Sequence, residues 1–223
     1  MKAIILCGGK GKRLYPLTKN TPKILIKYKG KTVLEHIISH LKKHSIAEVI
    51  LATGFLGEEI EQFVKAKKIN ATIVKERTPL GDAGAILNCK EYLDEDFLVY
   101  NGDLITEINL TKLINSYNKE NLLTVVLKRN KIKIQEGIAE LKGEKISEFK
   151  EKPILEFYTN CGIYIISSKA LGFLKSGNSI SKQLIPKILE QNKIGYFISE
   201  SKWRDIGKDI SLLREDNSEI YVA

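Results

Sequence analysis

Hydrophobic and polar positions change their spacing several times along the chain, and each change predicts a different element. Residues 3–7 form a short apolar run rich in β-branched side chains, which predicts a buried strand. A polar stretch rich in glycine follows from residue 8 to about residue 22 and predicts a functional loop. Apolar residues then recur at helical spacing over 33–44, behind Thr32 and Glu35, which have the Ser/Thr-x-x-Glu form of a capping box. The chain therefore begins with a strand, a loop and a helix.

The alternation of strands and helices continues to about residue 100. Strands are predicted at 48–53, 71–75 and 97–100, and helices at 58–67 and 83–92. Nearly continuous apolar strands that alternate with helices are typical of a mostly parallel sheet covered by helices on both faces. Ligands of such sheets bind beyond the carboxyl ends of the strands. We therefore expect an α/β, Rossmann-like fold with its functional site at that edge.

The spacing changes after residue 103. A short helix is predicted at 112–117, and four closely spaced strand-like runs follow at 122–127, 137–141, 146–149 and 161–166. A helix at 181–192, a strand at 195–199 and a short helix at 209–215 complete the pattern. The closely spaced runs predict a small, partly antiparallel insertion. Because the chain has no repeat, linker or low-complexity segment, we expect residues 1–223 to form one domain.

Composition narrows the class of protein. Of 223 residues, 43% are hydrophobic and 28% are charged, as in a soluble globular protein. No apolar run approaches the roughly 18 residues of a membrane span, so we expect a cytoplasmic protein without a membrane partner. A net charge of +9 favours polyanionic partners, but the basic residues are spread along the chain, so we expect no nucleic-acid partner. The three cysteines lie far apart and predict buried, reduced thiols.

The loop after the first strand carries candidate chemistry. Residues 6–14 place three glycines and three cations where backbone N–H groups can approach a phosphate. The segment lacks the dinucleotide fingerprint, because Leu14 stands where that pattern has a small residue, and it lacks the G-K-[ST] of a Walker A loop. The loop suits a triphosphate, although a glycine-rich turn without a ligand has the same pattern.

Taken together with residues 16–25, this loop resembles the opening signature of the sugar-1-phosphate nucleotidyltransferases. The resemblance continues with PLGDAGAI at 79–86, NGD at 101–103, FKEKP at 149–153, NCGIY at 160–164 and WRDIG at 203–207. It implies transfer of a nucleoside monophosphate from a nucleoside triphosphate to a sugar 1-phosphate, with release of pyrophosphate. The segment at 79–86 looks most like that of the guanylyltransferases for mannose or heptose 1-phosphates.

The resemblance also implies roles for residues on the nucleotide side. Arg13 would contact the β and γ phosphates, and Lys23 would lie beside the α phosphate under attack. Both would be catalytic. The remaining nucleotide-binding positions are Leu6, Gly8, Gly9, Gly11, Glu76 and Gly81.

For the metal and the acceptor, the resemblance implies a second group. Asp103 and Asp205 would be ligands of Mg²⁺, since aspartates are the usual oxygen anchors for a magnesium ion that bridges phosphates. Glu151 would take a sugar hydroxyl, and Lys152 would take the sugar phosphate as a catalytic residue. The other positions of the sugar-phosphate pocket would be Gly137, Asn160 and Gly162.

One residue bears on which nucleotide base the protein would recognise. Glu76 stands five residues before Gly81, where thymidylyl-type relatives carry a glutamine. A carboxylate only accepts hydrogen bonds, and guanine presents two adjacent donors to it, whereas uracil and thymine present one donor flanked by carbonyl oxygens. We therefore expect GTP, and mannose-1-phosphate guanylyltransferase as the specific activity. The alternatives are uridylyl or thymidylyl transfer to glucose 1-phosphate or a related sugar phosphate, and a catalytically silent nucleotide-sugar-binding regulatory subunit.

Other positions complete the sequence-based expectations. Lys12 stands where the family usually has threonine or serine, Asp82 stands where threonine is common, and both lie on the nucleotide side. His36, His40 and His44 share one helix face, which could bind a transition metal but more simply faces solvent. The chain ends soon after the last motif, so we expect no C-terminal β-helix domain, and a homo-oligomer would have to form through the catalytic domain.

Overall fold

The computed structural model describes residues 1–208 and Leu213. Its strands are β1 (Ala3–Leu6), β2 (Lys27–Tyr28), β3 (Lys31–Thr32), β4 (Val49–Thr53), β5 (Thr72–Lys75), β6 (Phe97–Asn101), β7 (Leu104–Thr106), β8 (Leu123–Lys133), β9 (Ile138–Lys142), β10 (Lys145–Lys150), β11 (Ile154–Ile166), β12 (Ile194–Ile198) and β13 (Trp203–Asp205). Its α-helices are α1 (Val33–Lys43), α2 (Gly57–Ala66), α3 (Gly81–Asn88), α4 (Leu110–Asn115) and α5 (Ile185–Glu190), and a π-helical turn at Ile180–Leu184 leads into α5. Short 3-10 turns lie at Lys12–Leu14, Lys23–Leu25, Lys90–Tyr92 and Ser168–Phe173.

A seven-stranded mixed sheet organises the chain, in the order β12-β8-β11-β6-β1-β4-β5. The pairs β1–β4, β1–β6, β4–β5 and β8–β12 are parallel. Strand β11 runs antiparallel to both β6 and β8. The predicted α/β fold with a mostly parallel sheet and a partly antiparallel region is therefore confirmed.

Two apolar cores form because strand side chains alternate between the faces of the sheet. On one face, Ile5 and Leu51 pack with Ile37 of α1 and Ile60 of α2. On the other face, a second core contains buried residues of α3 and α5. Helices therefore cover both faces, as the continuous apolar strands predict.

Helix α1 begins where the sequence predicts. The side chain of Thr32 accepts a hydrogen bond from the backbone N–H of Glu35, and the Glu35 carboxylate accepts one from the N–H of Thr32. This capping box satisfies two donors at the helix start, a contribution typically worth about 1 kcal/mol. Five apolar side chains of the helix are buried against the sheet.

The expectation of a solvated histidine face on α1 is wrong. His36 Nε2 lies 2.7 Å from the carbonyl oxygen of Tyr28, and His44 Nδ1 lies 2.9 Å from the hydroxyl of Thr111. His40 contacts the Ile108 carbonyl oxygen at 2.8 Å, and burial lowers the pKa of its imidazole. His40 and His44 contact the chain after β7 and His36 contacts β2, so each histidine is partly buried and hydrogen-bonded instead of fully solvated.

The insertion is longer than the apolar runs indicate. Strands β8 and β11 extend beyond the predicted 122–127 and 161–166 and form a two-stranded ribbon. Strands β9 and β10 form a separate antiparallel hairpin close to the predicted runs. The small pairs β2–β3 and β7–β13 were not predicted, because strands of two or three residues have no detectable period.

Helix boundaries differ in two places. The predicted helix at 83–92 is α3 followed by a 3-10 turn, and the predicted helix at 181–192 is the π-helical turn joined to α5. The predicted helix at 209–215 lies outside the described residues apart from Leu213, which is buried. Among the described residues, no helix has both the length and the apolar character needed to cross a membrane.

Candidate active site

A cleft opens past the carboxyl ends of β1, β4 and β6. It consists of a larger cavity of about 670 Å³ and a smaller one of about 390 Å³. Leu6, Gly9 and Asp82 line both cavities, so the two form one continuous cleft. This is the edge at which the sequence predicts ligand binding.

The glycine-rich loop forms the wall between the two cavities. Gly11 has φ +61°, in the left-handed region that glycine adopts without strain, and the hydroxyl of Thr18 donates to its carbonyl oxygen over 2.8 Å. Gly9 has no atom within 4 Å of the place where a Cβ would lie, so its backbone faces open space. The loop therefore presents its backbone to the cleft.

Glu76 lines the larger cavity. A Cβ on Gly8 would lie 2.7 Å from Glu76 Oε1, and a Cβ on Gly54 would lie closer still. The backbone N–H of Leu80 donates to Glu76 Oε2 over 3.0 Å. The carboxylate is thus fixed in place, with each oxygen still able to accept a further hydrogen bond.

Gly81 begins α3 beside this cavity. It has φ +71°, and a Cβ there would lie 2.6 Å from the carbonyl oxygen of Asn178. Only glycine fits, because both the backbone angle and the adjacent backbone exclude a side chain. The PLG segment is therefore a tightly packed turn against residues 177–178.

Two aspartates meet at the smaller cavity. Asp103 follows β6, and Asp205 ends β13, whose antiparallel pairing with β7 sets Asp205 opposite Leu104. The Lys23 ammonium forms a close ion pair with Asp103 and lies 4.0 Å from Asp205 Oδ1. Asp103 and Asp205, 102 positions apart in sequence, thus contact the same lysine ammonium.

The donor set at this point suits a divalent metal. Both carboxylates converge on the Lys23 ammonium, which here fills the role of a cation between them. Asp205 Oδ1 is held by the N–H of Gly207 over 2.8 Å. Mg²⁺ is commonly bound by one or two carboxylates together with substrate phosphates, so Asp103 and Asp205 fit that ion. No cluster of three or more His, Cys, Asp or Glu side chains suited to a metal occurs within the described part of the chain.

Arg13 lies on the rim of the same cavity. Its side chain is exposed, and it lines the cavity together with Lys12, Lys23 and Asp103. Positive side chains and loop glycines therefore share one wall, as a phosphate-binding surface requires.

The acceptor-side residues divide into two groups. Asn160 lies at an irregularity in the β11–β8 pairing, where its Oδ1 accepts from the N–H of Gly162 over 2.8 Å and its Nδ2 donates to the Tyr164 hydroxyl over 2.6 Å. Gly162 has φ +72°, and a Cβ there would lie 2.5 Å from Asn101 Nδ2. Gly162 therefore lies against the end of β6, two residues before Asp103, and neither Asn160 nor Gly162 lines either cavity.

The second group lies on the insertion. Lys152 Nζ is 3.9 Å from Glu151 Oε1, and both side chains are largely exposed. A Cβ on Gly137 would lie 2.8 Å from Glu151 Oε2, so Gly137 is a neighbour of this pair. The structure brings these three residues together, but none of them lines either cavity of the cleft.

Some cleft residues escaped the sequence interpretation. Gly54, Phe55 and Arg77 line the larger cavity. Gly54 and Phe55 directly follow β4, so the rule that ligands bind at carboxyl ends of parallel strands could have indicated them.

The cysteines are unsuited to nucleophilic chemistry. Cys7, Cys89 and Cys161 are buried and unpaired. Burial raises the pKa of the Cys7 thiol, and it raises that of Cys161 to about 11. A reactive cysteine needs a thiolate, so these side chains serve packing.

Such a sheet, with a ligand-sized cleft past the carboxyl ends of its strands, defines the class of doubly wound α/β ligand-binding domains. Residues 2–220 match the family model described as Nucleotidyl transferase, and the chain belongs to that family.

Similar proteins agree with this membership. The chain is 33% identical to the bifunctional protein GlmU of Methanococcus maripaludis over 97% of this chain and 54% of that protein. It is 30% identical to mannose-1-phosphate guanyltransferase beta-B of Xenopus laevis over 93% of this chain and 61% of that protein. The chain thus spans little more than half of the length of these relatives. A solved structure of a protein from Bacillus anthracis, proposed to be a glucose-1-phosphate thymidylyltransferase, superposes with a TM-score of 0.74 at 25% identity, covering 99% of this chain and 95% of that one.

Proposed function

We propose that this chain transfers a nucleoside monophosphate from a nucleoside triphosphate to a sugar 1-phosphate, giving a nucleotide sugar and pyrophosphate, with Mg²⁺ as cofactor. One observation carries the proposal: the glycine-rich loop, the cations Arg13 and Lys23, and the pair Asp103 and Asp205 meet in a single cleft. Phosphoryl transfer depends chiefly on positioning and on positive charge at the phosphates, and these residues provide both. Membership of the nucleotidyl transferase family supports the same reaction.

Asp103 and Asp205 are the residues that would hold Mg²⁺. When bound, the ion would neutralise charge on the triphosphate and on the leaving pyrophosphate. Lys23 would have to leave its ion pair with Asp103 to reach a phosphate. It lines the smaller cavity together with Arg13 and the loop glycines. The backbone of the loop would hold the triphosphate while Arg13 contacts its outer phosphates.

The reaction needs a single in-line displacement. An oxygen of the sugar phosphate attacks the α phosphorus, the bond to the bridging oxygen of the β phosphate breaks, and pyrophosphate leaves. No covalent enzyme intermediate is required, which agrees with cysteine thiols whose pKa values are raised by burial.

The acceptor would be held by residues of the β8–β11 region. Asn160 can donate to and accept from vicinal hydroxyls, and it contacts Gly162, which lies against the end of β6. Glu151 and Lys152 would bind a sugar hydroxyl and the sugar phosphate. These two side chains are exposed and line neither cavity, so the support for their role is the FKEKP motif that carries them.

We further propose that the nucleotide is GTP and the acceptor mannose 1-phosphate. The support is the fixed Glu76 carboxylate in the larger cavity, together with the likeness to the Xenopus laevis mannose-1-phosphate guanyltransferase. Likeness to the Bacillus anthracis protein favours a second candidate, thymidylyl transfer to glucose 1-phosphate.

The Glu76 assignment makes a specific prediction. Glu76→Gln replaces one acceptor oxygen by an amide donor, so guanine loses one hydrogen bond while thymine and uracil gain one. A hydrogen bond of this kind is worth roughly 1 to 2 kcal/mol, so the preference for GTP should narrow by about tenfold. The measurement is kcat/KM for GTP, UTP and dTTP in both proteins. A wild-type enzyme that uses UTP or dTTP better than GTP would show the interpretation of Glu76 to be wrong.

The reaction itself is tested by a substrate matrix. Purified protein is assayed for pyrophosphate release with GTP, UTP, dTTP, ATP and CTP, each against mannose, glucose and N-acetylglucosamine 1-phosphates, with Mg²⁺ and with EDTA as the control. We expect Mg²⁺-dependent turnover that needs both substrates. If nucleotide sugars bind while no combination turns over, the chain is a silent binding subunit and the proposed reaction is wrong.

A further inference from the structure

Asp82 differs from the threonine that is common at this point of the PLG segment, and the structure gives it two partners. Its Oδ1 accepts hydrogen bonds from the backbone N–H groups of Ala83 and Ile180, each over 2.8 Å. Ala83 lies in the first turn of α3, and Ile180 begins the π-helical turn that leads into α5. One carboxylate oxygen in the first turn of α3 therefore links that turn to the N–H of Ile180, where the next helical segment begins.

Such a contact is favourable for two physical reasons. The first N–H groups of a helix have no partner within the helix, so a side-chain acceptor there satisfies them. A negative charge at a helix start also interacts favourably with the helix dipole, and Asp82 serves two helix starts at once. A threonine hydroxyl could accept hydrogen bonds but would carry no charge.

The two segments that Asp82 joins also touch along their backbones. Gly177 N–H donates to the Leu80 carbonyl oxygen over 2.6 Å, and Ala83 N–H approaches the Asn178 carbonyl oxygen at 3.2 Å. Leu80 is fixed from the opposite side by Glu76. The loop that lines the nucleotide cavity is therefore held between Glu76 and residues 177–180.

The second segment leads toward the acceptor side. Ser181 follows Ile180 and hydrogen-bonds the side chain of Tyr164, whose hydroxyl also accepts from Asn160. Tyr164 is buried. A continuous set of contacts thus runs from the nucleotide loop through Asp82 and Ser181 to Asn160.

We propose that Asp82 is a positioning residue that couples the nucleotide-binding loop to the acceptor side by linking the first turn of α3 to the helical segment that begins at Ile180. Asp82 lines both cavities of the cleft, at the point where they join. Its loss would therefore make both the segment at 79–84 and the segment at 177–183 less ordered. The inference rests on the proposed function for its kinetic part and on contacts alone for its structural part.

The structural part is tested by hydrogen exchange without substrates. Asp82→Ala is compared with Asn109→Ala, which also removes a side-chain acceptor at a helix start, since Asn109 accepts from Lys112 N–H at the start of α4 over 2.9 Å. Loss of a charged acceptor should speed amide exchange about tenfold in both 79–84 and 177–183. Asn109→Ala should change neither segment. Unchanged exchange in either segment of Asp82→Ala overturns the coupling, and this holds even if the chain has no turnover.

The kinetic part separates positioning from general destabilisation. Asp82→Ala should raise the KM for the triphosphate about tenfold and raise the KM for the sugar phosphate as well, with a smaller change in kcat. Asp82→Asn keeps an acceptor oxygen of the same shape but loses the charge, so both KM values should fall between those of wild type and those of Asp82→Ala. If Asp82→Asn is as impaired as Asp82→Ala, or if Asn109→Ala shifts the KM values equally, Asp82 does not position the site.

Discussion

At the scale of single residues, the cleft centres on two aspartates that share one lysine. Asp103 and Asp205 have side chains that are 23% and 14% exposed, so solvent screens their repulsion only in part, and the Lys23 ammonium offsets it. Removing either aspartate would leave Lys23 with one partner and a candidate metal site with one ligand.

Asp103→Ala and Asp205→Ala should each abolish most turnover while the fold stays intact. The reason is that each removes an oxygen ligand that would hold Mg²⁺ against the triphosphate. Steady-state rates at several Mg²⁺ concentrations, with circular dichroism as the check on folding, measure the effect. Asp94→Ala removes an exposed aspartate that is paired with Lys2, and it should leave the rate unchanged. Near-normal turnover of Asp103→Ala or Asp205→Ala would show that the substituted aspartate is not a required Mg²⁺ ligand.

Lys152→Ala should weaken the sugar phosphate far more than the triphosphate. Lys152 is exposed on the insertion, and its charge is assigned to the acceptor phosphate. A charge-assisted contact to phosphate is worth roughly 1.5 to 3 kcal/mol, so the KM for the sugar phosphate should rise by about ten- to a hundredfold. Lys150→Ala, at an ion-paired neighbour, is the matched control and should have little effect. If the KM values for the sugar phosphate and the triphosphate change equally, Lys152 does not bind the acceptor phosphate specifically.

At the scale of elements, the ends of β1 and β6 approach each other closely beside the smaller cavity. The N–H of Gly102, after β6, donates to the Leu6 carbonyl oxygen of β1 over 3.0 Å. A Cβ on Gly102 would lie 2.5 Å from that oxygen, which belongs to the backbone and cannot easily move. The glycine of the NGD motif therefore permits the two strand ends to approach.

Gly102→Ala should lower the free energy of unfolding by about 1 to 3 kcal/mol, because the added methyl group forces the strand ends apart. Gly9→Ala provides the contrast, since a Cβ there meets nothing within 4 Å. Its effect on stability should stay within about 0.5 kcal/mol. Urea denaturation of both variants measures the difference. If the two variants are equally stable, close packing does not explain the glycine at position 102.

The sequence could predict some of these elements better than others. Strands β1, β4 and β6 are short, buried and continuous in their apolar residues, so their type and approximate bounds follow from the pattern. The resemblance of the NGD and WRDIG motifs, rather than the apolar pattern, indicates Asp103 and Asp205 as site residues. The location of Asp205 depends on the pairing of β13 with β7, strands of three residues each, and no local pattern specifies such a long-range contact. The exposed ribbon of β8 and β11 is likewise fixed by pairing between distant residues rather than by a buried face.

At the scale of the whole molecule, the cleft borders both apolar cores. Leu6 packs with the core that contains α3, and Ile24, which lines the smaller cavity, belongs to the core that contains α1. A ligand in the cleft would therefore lie against residues that belong to both apolar cores. Binding energy should therefore appear as stability of the entire fold, because a ligand that binds only the native state shifts the unfolding equilibrium.

This linkage gives a test that needs no catalysis. At a nucleotide concentration about 100 times its Kd, the native state should gain about 2.7 kcal/mol, which for a domain of this size raises Tm by roughly 5 to 11 °C. Thermal unfolding is followed with GTP, UTP or dTTP, each in the presence of Mg²⁺, and with Mg²⁺ alone as the control. We expect GTP to give the largest rise, Mg²⁺ alone to give little, and the double variant of Asp103→Ala with Asp205→Ala to lose most of the nucleotide effect. If no nucleoside triphosphate raises Tm in the presence of Mg²⁺, the cleft is not a nucleotide site; if the double variant keeps the full rise, the nucleotide binds without the two aspartates.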